Sequence, residues 1–440
     1  MILIENANWL NLKGLKYQNM ILYFNNVNTI ELAKKFGTPI YIISEQIIRE
    51  KYRTLKNILN SEYKKNQIHY AVKANSNITI LKILNTEGAF FDCTSQGEIH
   101  ACFKAGIAPE RIIYTGNMFT DDDFEFSVKN DIIINLDSIS QLERLTKIYE
   151  KLGKEKKIIS FRINPEFGAG HHAHDITAGR EVKFGILENQ VIEAYKKAKD
   201  KGFERFGIHQ HIGSGINNPY NFEKAIKKYL SIIKNLASSL KINFEFIDFG
   251  GGLGIPYRPN EKPLDLELYK EIVVKPFKKL INIENLGEPV FKIEPGRFLV
   301  AESCILITQI NTIKDNGYKL FAGVDAGFNT LIRPTMYGSY HHIMKCNKNE
   351  KDEVLKYDIV GPICESGDIL GKERELPNLI EGDYLAILDT GAYGYVMSSN
   401  YNSRPRSAEI LISDGHIFKI REAETFDDLL KNQIVPDHLK

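Results

Sequence analysis

Between residues 67 and 295 the chain repeats one pattern: a short β-branched or aromatic run, a polar or glycine residue where it stops, then a longer stretch of helical periodicity. Eight runs fit a strand, at 67–72, 89–92, 112–115, 131–135, 157–162, 206–211, 244–249 and 291–294. Among the segments between them, 139–152 and 222–240 carry apolar residues at three- and four-residue spacing, which predicts amphipathic helices. Such alternation suits either a doubly wound open sheet or a closed (β/α)8 barrel, and eight strands in about 230 residues fit the barrel. The unusual residues favour closure. Lys73, Asp92, Gly116 and Asn117, Asp137, Arg162 with Asn164, His211, Gly250 to Gly252 and Glu294 all fall at or just past the C-terminal end of an expected strand. In a closed parallel barrel those ends form one rim, where barrel enzymes place their chemistry.

The texture changes after about residue 300. Runs at 304–313, 320–324, 353–360, 384–388 and 409–412 read as strands separated by turn signals such as Asp315-Asn316-Gly317 and Asp414-Gly415. The expected architecture is therefore α/β: a (β/α)8 barrel over 45–300 and a mostly β domain over 301–440. An N-terminal segment, 1–44, partly pairs with the β domain through a strand at 39–44. The apolar stretch 298–310 carries Glu302 and is too short for a membrane span, so it is expected to be a buried strand. Glu5 stands where a signal peptide needs basic residues, and the expectation is a cytoplasmic protein with no membrane partner. Lys plus Arg number 57 against 56 Asp plus Glu, which gives a nucleic-acid surface no support and leaves a small molecule as the default partner. Five cysteines without a Cys-x-x-Cys imply neither a disulfide framework nor a zinc ribbon.

Gly250-Gly251-Gly252 and Glu294-Pro295-Gly296-Arg297 follow the seventh and eighth strands, where glycines let backbone N–H groups approach an anion. With Ser214 after the sixth strand they suggest a phosphate cradle in the position usual for this fold. Lys73 in the same rim suggests a Schiff-base lysine for a phosphorylated aldehyde, pyridoxal phosphate. Glu294 then faces the pyridine nitrogen and favours its protonated form, and His211 lies against the ring.

Six stretches carry a resemblance: Tyr70-Ala71-Val72-Lys73-Ala74-Asn75, His209-Gln210-His211-Ile212-Gly213-Ser214, Asp248-Phe249-Gly250-Gly251-Gly252, Glu294-Pro295-Gly296-Arg297, Gly361 to Asp368 and Gly391-Ala392-Tyr393-Gly394. Together they resemble, in order and over roughly residues 35 to 425, the fold type III pyridoxal-phosphate decarboxylases. Arg333 to Gly338 and Ser398 to Pro405 point to the branch acting on meso-diaminopimelate, rather than to ornithine or arginine decarboxylases or alanine racemase. The resemblance implies decarboxylation at the D centre to give L-lysine and carbon dioxide, the last step of bacterial lysine synthesis. It implies Lys73, Glu294 and His211 as the cofactor-binding and catalytic set, and Ser214, Gly251, Gly252, Gly296, Arg297 and Tyr393 around the phosphate. Asp92 and Arg162 would orient the cofactor edge. Arg297, Arg333, Tyr337 and Tyr393 would meet the substrate, Glu365 would receive its distal ammonium, and Cys364 would return the proton to Cα. The resemblance alone implies that Cys364 and Glu365 reach the partner's site in a homodimer with shared active sites.

The stretch 168–185 departs from the family pattern, with Ala178 and Val182 where Gly and a small polar residue are expected, so substrate preference is the property it bears on. His171, His172 and His174 lack companion Cys or regularly spaced carboxylates, and the expectation is a lid loop and no metal. Two alternatives stand beside the main reading. One is a related decarboxylase acting on another diamino acid or a conjugated substrate. The other is a silent homologue that binds a partner protein, which retention of Lys73, Glu294, Cys364 and Glu365 argues against.

Overall fold

The computed structural model describes residues 7–168, 178–179, 181–349 and 352–440. The chain divides into two compact units, one of residues 48–256 and 262–299, the other of 1–47, 257–261 and 300–440.

The first unit is a closed parallel barrel. Its strands are β1 (Asn66–Ala71), β2 (Phe90–Cys93), β3 (Ile112–Tyr114), β4 (Ile133–Leu136), β5 (Ile159–Asn164), β6 (Phe206–Gln210), β7 (Phe244–Asp248) and β8 (Val290–Ile293). Each pairs in parallel with its chain neighbours, and β8 pairs with β1 to close the ring. Between strands, helices bury an apolar stripe against the barrel. Ile139–Leu152 starts at Ser138, whose side chain accepts the Gln141 N–H, and stops at Gly153 in the left-handed conformation. Tyr220–Leu240 buries Phe222, Ala225, Ile226, Tyr229, Ile233 and Leu236, the three- and four-residue spacing read from the sequence.

The barrel interior is unusual for its charge. Such interiors are ordinarily layers of Val, Ile and Leu. Here the register sets Arg162 beside His209, His209 beside Asp248 and Asp248 beside Lys292 on consecutive strands. Beneath them the Phe246 ring fills the space in front of Gly207, where any Cβ would strike it, and the Lys292 ammonium sits 3.7 Å from the centre of that ring.

The second unit is built on a mostly antiparallel sheet. Strand Cys304–Asp315 is its spine, pairing with Ile40–Ser44, Leu320–Val324 and Tyr384–Ile387. Ile40–Ser44 also pairs in parallel with Ala408–Ser413. Its apolar core gathers Trp9, Leu22, Phe24, Ile40, Ile42, Ile305, Ile307, Met344 and Leu388. The strand expected over 298–310 begins only at Cys304, because Arg297–Val300 and Ala301–Ser303 form helical turns. Strands Ile343–Lys345, Ile369–Pro377 and His416–Arg421 and the hairpin of Leu15–Gln18 with Ile21–Phe24 go beyond the sequence reading.

Candidate active site

Lys73 follows β1 in a single 3-10 turn, Val72–Ala74. Its Nζ donates to Asp92 Oδ2 at 3.0 Å. Asp92, in β2, is wholly buried, whereas the Lys73 side chain keeps 36% of its surface. Burial raises the Asp92 carboxyl pKa, the Glu294 charge adds to this, and the Lys73 ammonium opposes it. The pair thus joins an amine at the mouth to a carboxylate that readily takes a proton.

Glu294 emerges from β8 with both oxygens held. His209 Nε2 meets Oε2 at 3.0 Å. Thr115 Oγ1 donates to Oε1 at 3.4 Å and itself accepts from Asn135 Nδ2 at 2.9 Å. Burial pushes the Glu294 carboxyl up, yet the His209 contact and the Lys73 ammonium outweigh it and hold the group well below the usual carboxylate range. Glu294 is therefore an anion inside the barrel.

His211 Nδ1 accepts the Gly251 N–H at 3.0 Å, so the imidazole proton sits on Nε2. Burial, with the nearby charges of Arg162 and Lys73, depresses its pKa far below the ordinary value and keeps the ring neutral. Arg162 Nη2 donates to the His211 carbonyl at 3.5 Å, its guanidinium lies over the Phe184 ring, and burial brings its pKa down to about 10.

The anion cradle lies at the neighbouring strand ends. Arg297 Nη2 donates to Ser214 Oγ at 3.1 Å. Gly250 is left-handed, at φ +68°, and a Cβ there would collide with the Gln210 carbonyl. At Gly251 a Cβ would collide with the Glu294 carbonyl, and at Gly296 it would press to 3.0 Å from Ala74 Cβ. These backbones approach one another only because the three residues lack side chains. The set fits pyridoxal phosphate: an amine for the aldehyde, a buried anion for the pyridinium, a neutral imidazole for the ring, and a glycine and guanidinium cradle for the phosphate. Asp92 Oδ1, buried with no hydrogen-bond partner among the described residues, adds an acceptor at the cofactor edge.

The second unit holds the other expected residues in two groups. Arg333, buried, donates from Nε to His341 Nε2 at 3.3 Å and from Nη2 to Ser339 Oγ at 3.2 Å and Tyr257 OH at 3.5 Å. Its guanidinium lies about 6 Å from the Tyr337 and Tyr393 ring centres, at 6.0 and 5.9 Å. His341 Nδ1 meets the Leu388 carbonyl at 2.8 Å, so that nitrogen carries the proton and Nε2 accepts from Arg333. Cys364 and Glu365 lie on an exposed loop pinned by buried Asp368, whose Oδ2 accepts the Ile363 N–H at 2.8 Å. Asn402 Nδ2 donates to Cys364 Sγ at 3.2 Å and Tyr401 OH to Glu365 Oε1 at 2.7 Å.

The sequence reading assigns no role to His209, Thr115, Asn135, Asp248, Lys292, Tyr257, His341, Tyr401 or Asn402. For His209 and Lys292 a signal existed, since each stands two residues before a recognised site residue and alternate strand residues share a face. His209, Asp248 and Glu294 bring ligand-type atoms within 4.8 Å of one another. The positive charge such a cluster invites is carried by Lys292, whose ammonium interacts with Asp248 and Glu294 and whose pKa burial lowers to about 8. His171, His172 and His174 lie outside the described residues.

Residues 45–301 match the family model for the pyridoxal-binding domain of pyridoxal-dependent decarboxylases. The chain is 47% identical over 418 residues to a diaminopimelate decarboxylase of Methanothermobacter thermautotrophicus, covering 95% of this chain and 96% of that one. It is similar to the crystal structure of M. jannaschii diaminopimelate decarboxylase in complex with L-lysine, with TM-score 0.90, 33% identity and coverage of 98% and 100%. The Helicobacter pylori enzyme, also in complex with L-lysine, gives TM-score 0.84, 36% identity and coverage of 92% and 98%.

Proposed function

The chain belongs to the pyridoxal-dependent decarboxylases, in the diaminopimelate decarboxylase branch, and on that premise we propose that Lys73, Asp92, His211 and Glu294 carry its chemistry. It is a pyridoxal-phosphate enzyme that decarboxylates meso-diaminopimelate at its D centre and yields L-lysine. The observation that carries the assignment of residues is the Lys73 to Asp92 contact, in the same barrel that holds the Glu294 anion and the Ser214 and Arg297 cradle.

When bound, pyridoxal phosphate supplies an electron sink for the pair left on the substrate Cα as carbon dioxide departs. Lys73 would hold the aldehyde carbon. Before its Nζ can act as a nucleophile it must lose a proton, and Asp92 Oδ2 at 3.0 Å is placed to take it. Glu294, by staying ionised, would keep a proton on the pyridine nitrogen. His211, neutral and oriented by Gly251, presents its ring face without adding positive charge. Ser214, Gly251, Gly252, Gly296 and Arg297 would hold the phosphate, and Arg162 would steady the cofactor edge. Arg333, with Tyr337 and Tyr393, binds the substrate's distal carboxylate, where a planar guanidinium offers two parallel donors. Glu365 binds the distal ammonium. Cys364, its sulfur directed by Asn402, returns the proton to Cα.

Purified protein offered meso-diaminopimelate, L-ornithine, D- and L-lysine and L-arginine separately should release carbon dioxide and L-lysine from the first alone, by chiral product analysis. Release from another diamine precursor as fast as from diaminopimelate would overturn the substrate assignment.

The same reading makes the enzyme a homodimer with shared sites, supported by the exposure of Cys364 and Glu365 on a tethered loop. Mixing a Cys364→Ala chain with a Lys73→Ala chain should restore about a quarter of parental activity, because half the dimers regain one complete site. Verified mixed dimers without activity would refute sharing. The reading also places the protein in the cytoplasm, with small molecules and no nucleic acid as partners. Support comes from the net charge of +1. No helix among the described residues is long and apolar enough to cross a membrane.

A further inference from the structure

We infer that His209 is a positioning residue for catalysis: its Nε2–H grips one oxygen of Glu294 and sets the direction in which that carboxylate meets the pyridine nitrogen. The inference rests on the role proposed above for Glu294, and adds to it the group that aims the anion.

Four observations support it. The contact is short, 3.0 Å, and both side chains are almost wholly buried, at 0% and 3% exposure, so no water competes for it. A carboxylate only accepts, so His209 Nε2 carries the proton. His209 Nδ1 is buried with no hydrogen-bond partner among the described residues, so the whole bonding capacity of this ring is committed to Glu294. The other Glu294 oxygen is held independently by Thr115, itself fixed by Asn135. With one donor on each oxygen, rotation of the carboxylate about its last bond breaks a hydrogen bond in either direction.

The imidazole is itself held in place. In register it lies between Arg162 on β5 and Asp248 on β7, with Lys292 one strand further. Gly207, two residues earlier on the same strand, admits the Phe246 ring that floors this polar column. A histidine serving only to fill space would not need a partner on the catalytic carboxylate. An apolar side chain of the same volume would avoid burying a polar nitrogen.

The consequence is specific to the chemical step. The carboxylate stabilises the pyridinium most when its lone pair is directed at the ring N–H, and that stabilisation matters most as the carbanion forms. Misdirecting it should lower kcat while leaving KM, set by the distal contacts to the substrate, nearly unchanged.

The test compares His209→Gln with His209→Asn. The Gln amide nitrogen reaches the place of the imidazole Nε2, and the Asn amide stops one bond short. Both variants, loaded with pyridoxal phosphate, are measured for kcat, KM and the visible absorbance of the bound cofactor, and as apoprotein for cofactor affinity. The Asn variant should lose about tenfold or more in kcat with KM within about twofold, and show a shifted cofactor spectrum and weaker cofactor binding. The Gln variant should stay within tenfold of the parent and keep its spectrum. Equal kcat and unshifted spectra in both would overturn the inference. Should the Asn variant fail to fold, His209→Leu takes its place: a folded, loaded Leu variant with parental kcat and spectrum overturns the inference, and a loss of about tenfold or more beside a Gln variant within tenfold of the parent supports it. Glu294→Gln separates the two levels of the argument. If that variant keeps parental kcat and spectrum, the role of Glu294 itself fails. If it loses both while His209→Asn does not, only the positioning by His209 fails.

Discussion

Lys73→Ala should reduce turnover of meso-diaminopimelate by about three orders of magnitude or more and abolish the visible absorbance of the lysine-bound cofactor. Retention of either would show that another amine holds the aldehyde. The fold should survive, because Lys73 is partly exposed and contributes no apolar core. The variant should acquire a distinctive pH dependence. Asp92 keeps its burial and loses the ammonium that opposes it, so its folded-state pKa rises further above the unfolded value. Between those two values the folded state binds more protons than the unfolded one, so stability falls as pH rises through that window. Melting temperature measured at about pH 5 and about pH 8 should therefore favour the acid side more in the variant than in the parent. An identical pH profile in both would mean that the Lys73 to Asp92 contact has no electrostatic weight.

Lys13→Met should be the most destabilising single change in the second unit. Lys13 Nζ lies 3.0 Å from Glu302 Oε1 and 2.7 Å from Asp389 Oδ1, with all three side chains at most 4% exposed. Removing the ammonium leaves two buried carboxylates repelling each other, a change that costs about 3–5 kcal/mol. Denaturant melts should show it as a lowered midpoint. Adding Glu302→Gln and Asp389→Asn should recover most of the loss, since the penalty lies in the uncompensated charge rather than in the shape. Burial lowers the Lys13 pKa, but Asp389 and Glu302 more than reverse this, so the folded value lies above 10.5. A raised folded pKa gives stability that is complete below the unfolded value and lost as pH rises through the folded one. The parent should thus hold this contribution at neutral pH and lose it only in strongly alkaline solution. The triad anchors the start of the loop from Asp389 to Tyr393, so the damage should reach the Arg333 and Tyr393 group as well.

The barrel was legible because a parallel strand buried on both faces and an amphipathic helix leave different periodicities in the chain. Leu320–Val324 and Ile139–Leu152 match the ranges expected, and the barrel strands differ from theirs by at most two residues at either end. Phe298 to Ser303 misled the same reasoning, since an apolar run carries no mark of whether it coils or extends, and the turn after Gly296 decided for helix. Lys73 and Glu294 stood out because polar residues end apolar strands. His209 and Lys292 did not, although their alternation with His211 and Glu294 places them on the same face, because a charged residue within a strand reads most simply as facing outward.

The sequence by itself determined the eight strands of the barrel, the rim of polar strand ends, the glycines at the cradle and the family to which those motifs belong. These are local properties, set by side-chain periodicity, by turn chemistry and by residues whose backbone or charge has few alternatives. Only the tertiary structure decided which groups share a proton or a charge. His209 and Glu294 are 85 residues apart, Lys13 and Asp389 are 376 apart, and Arg333 finds Tyr257 across 76. A hydrogen bond is selective to a few tenths of an ångström, and burial multiplies its worth, so its partners are fixed by how strands register and elements pack.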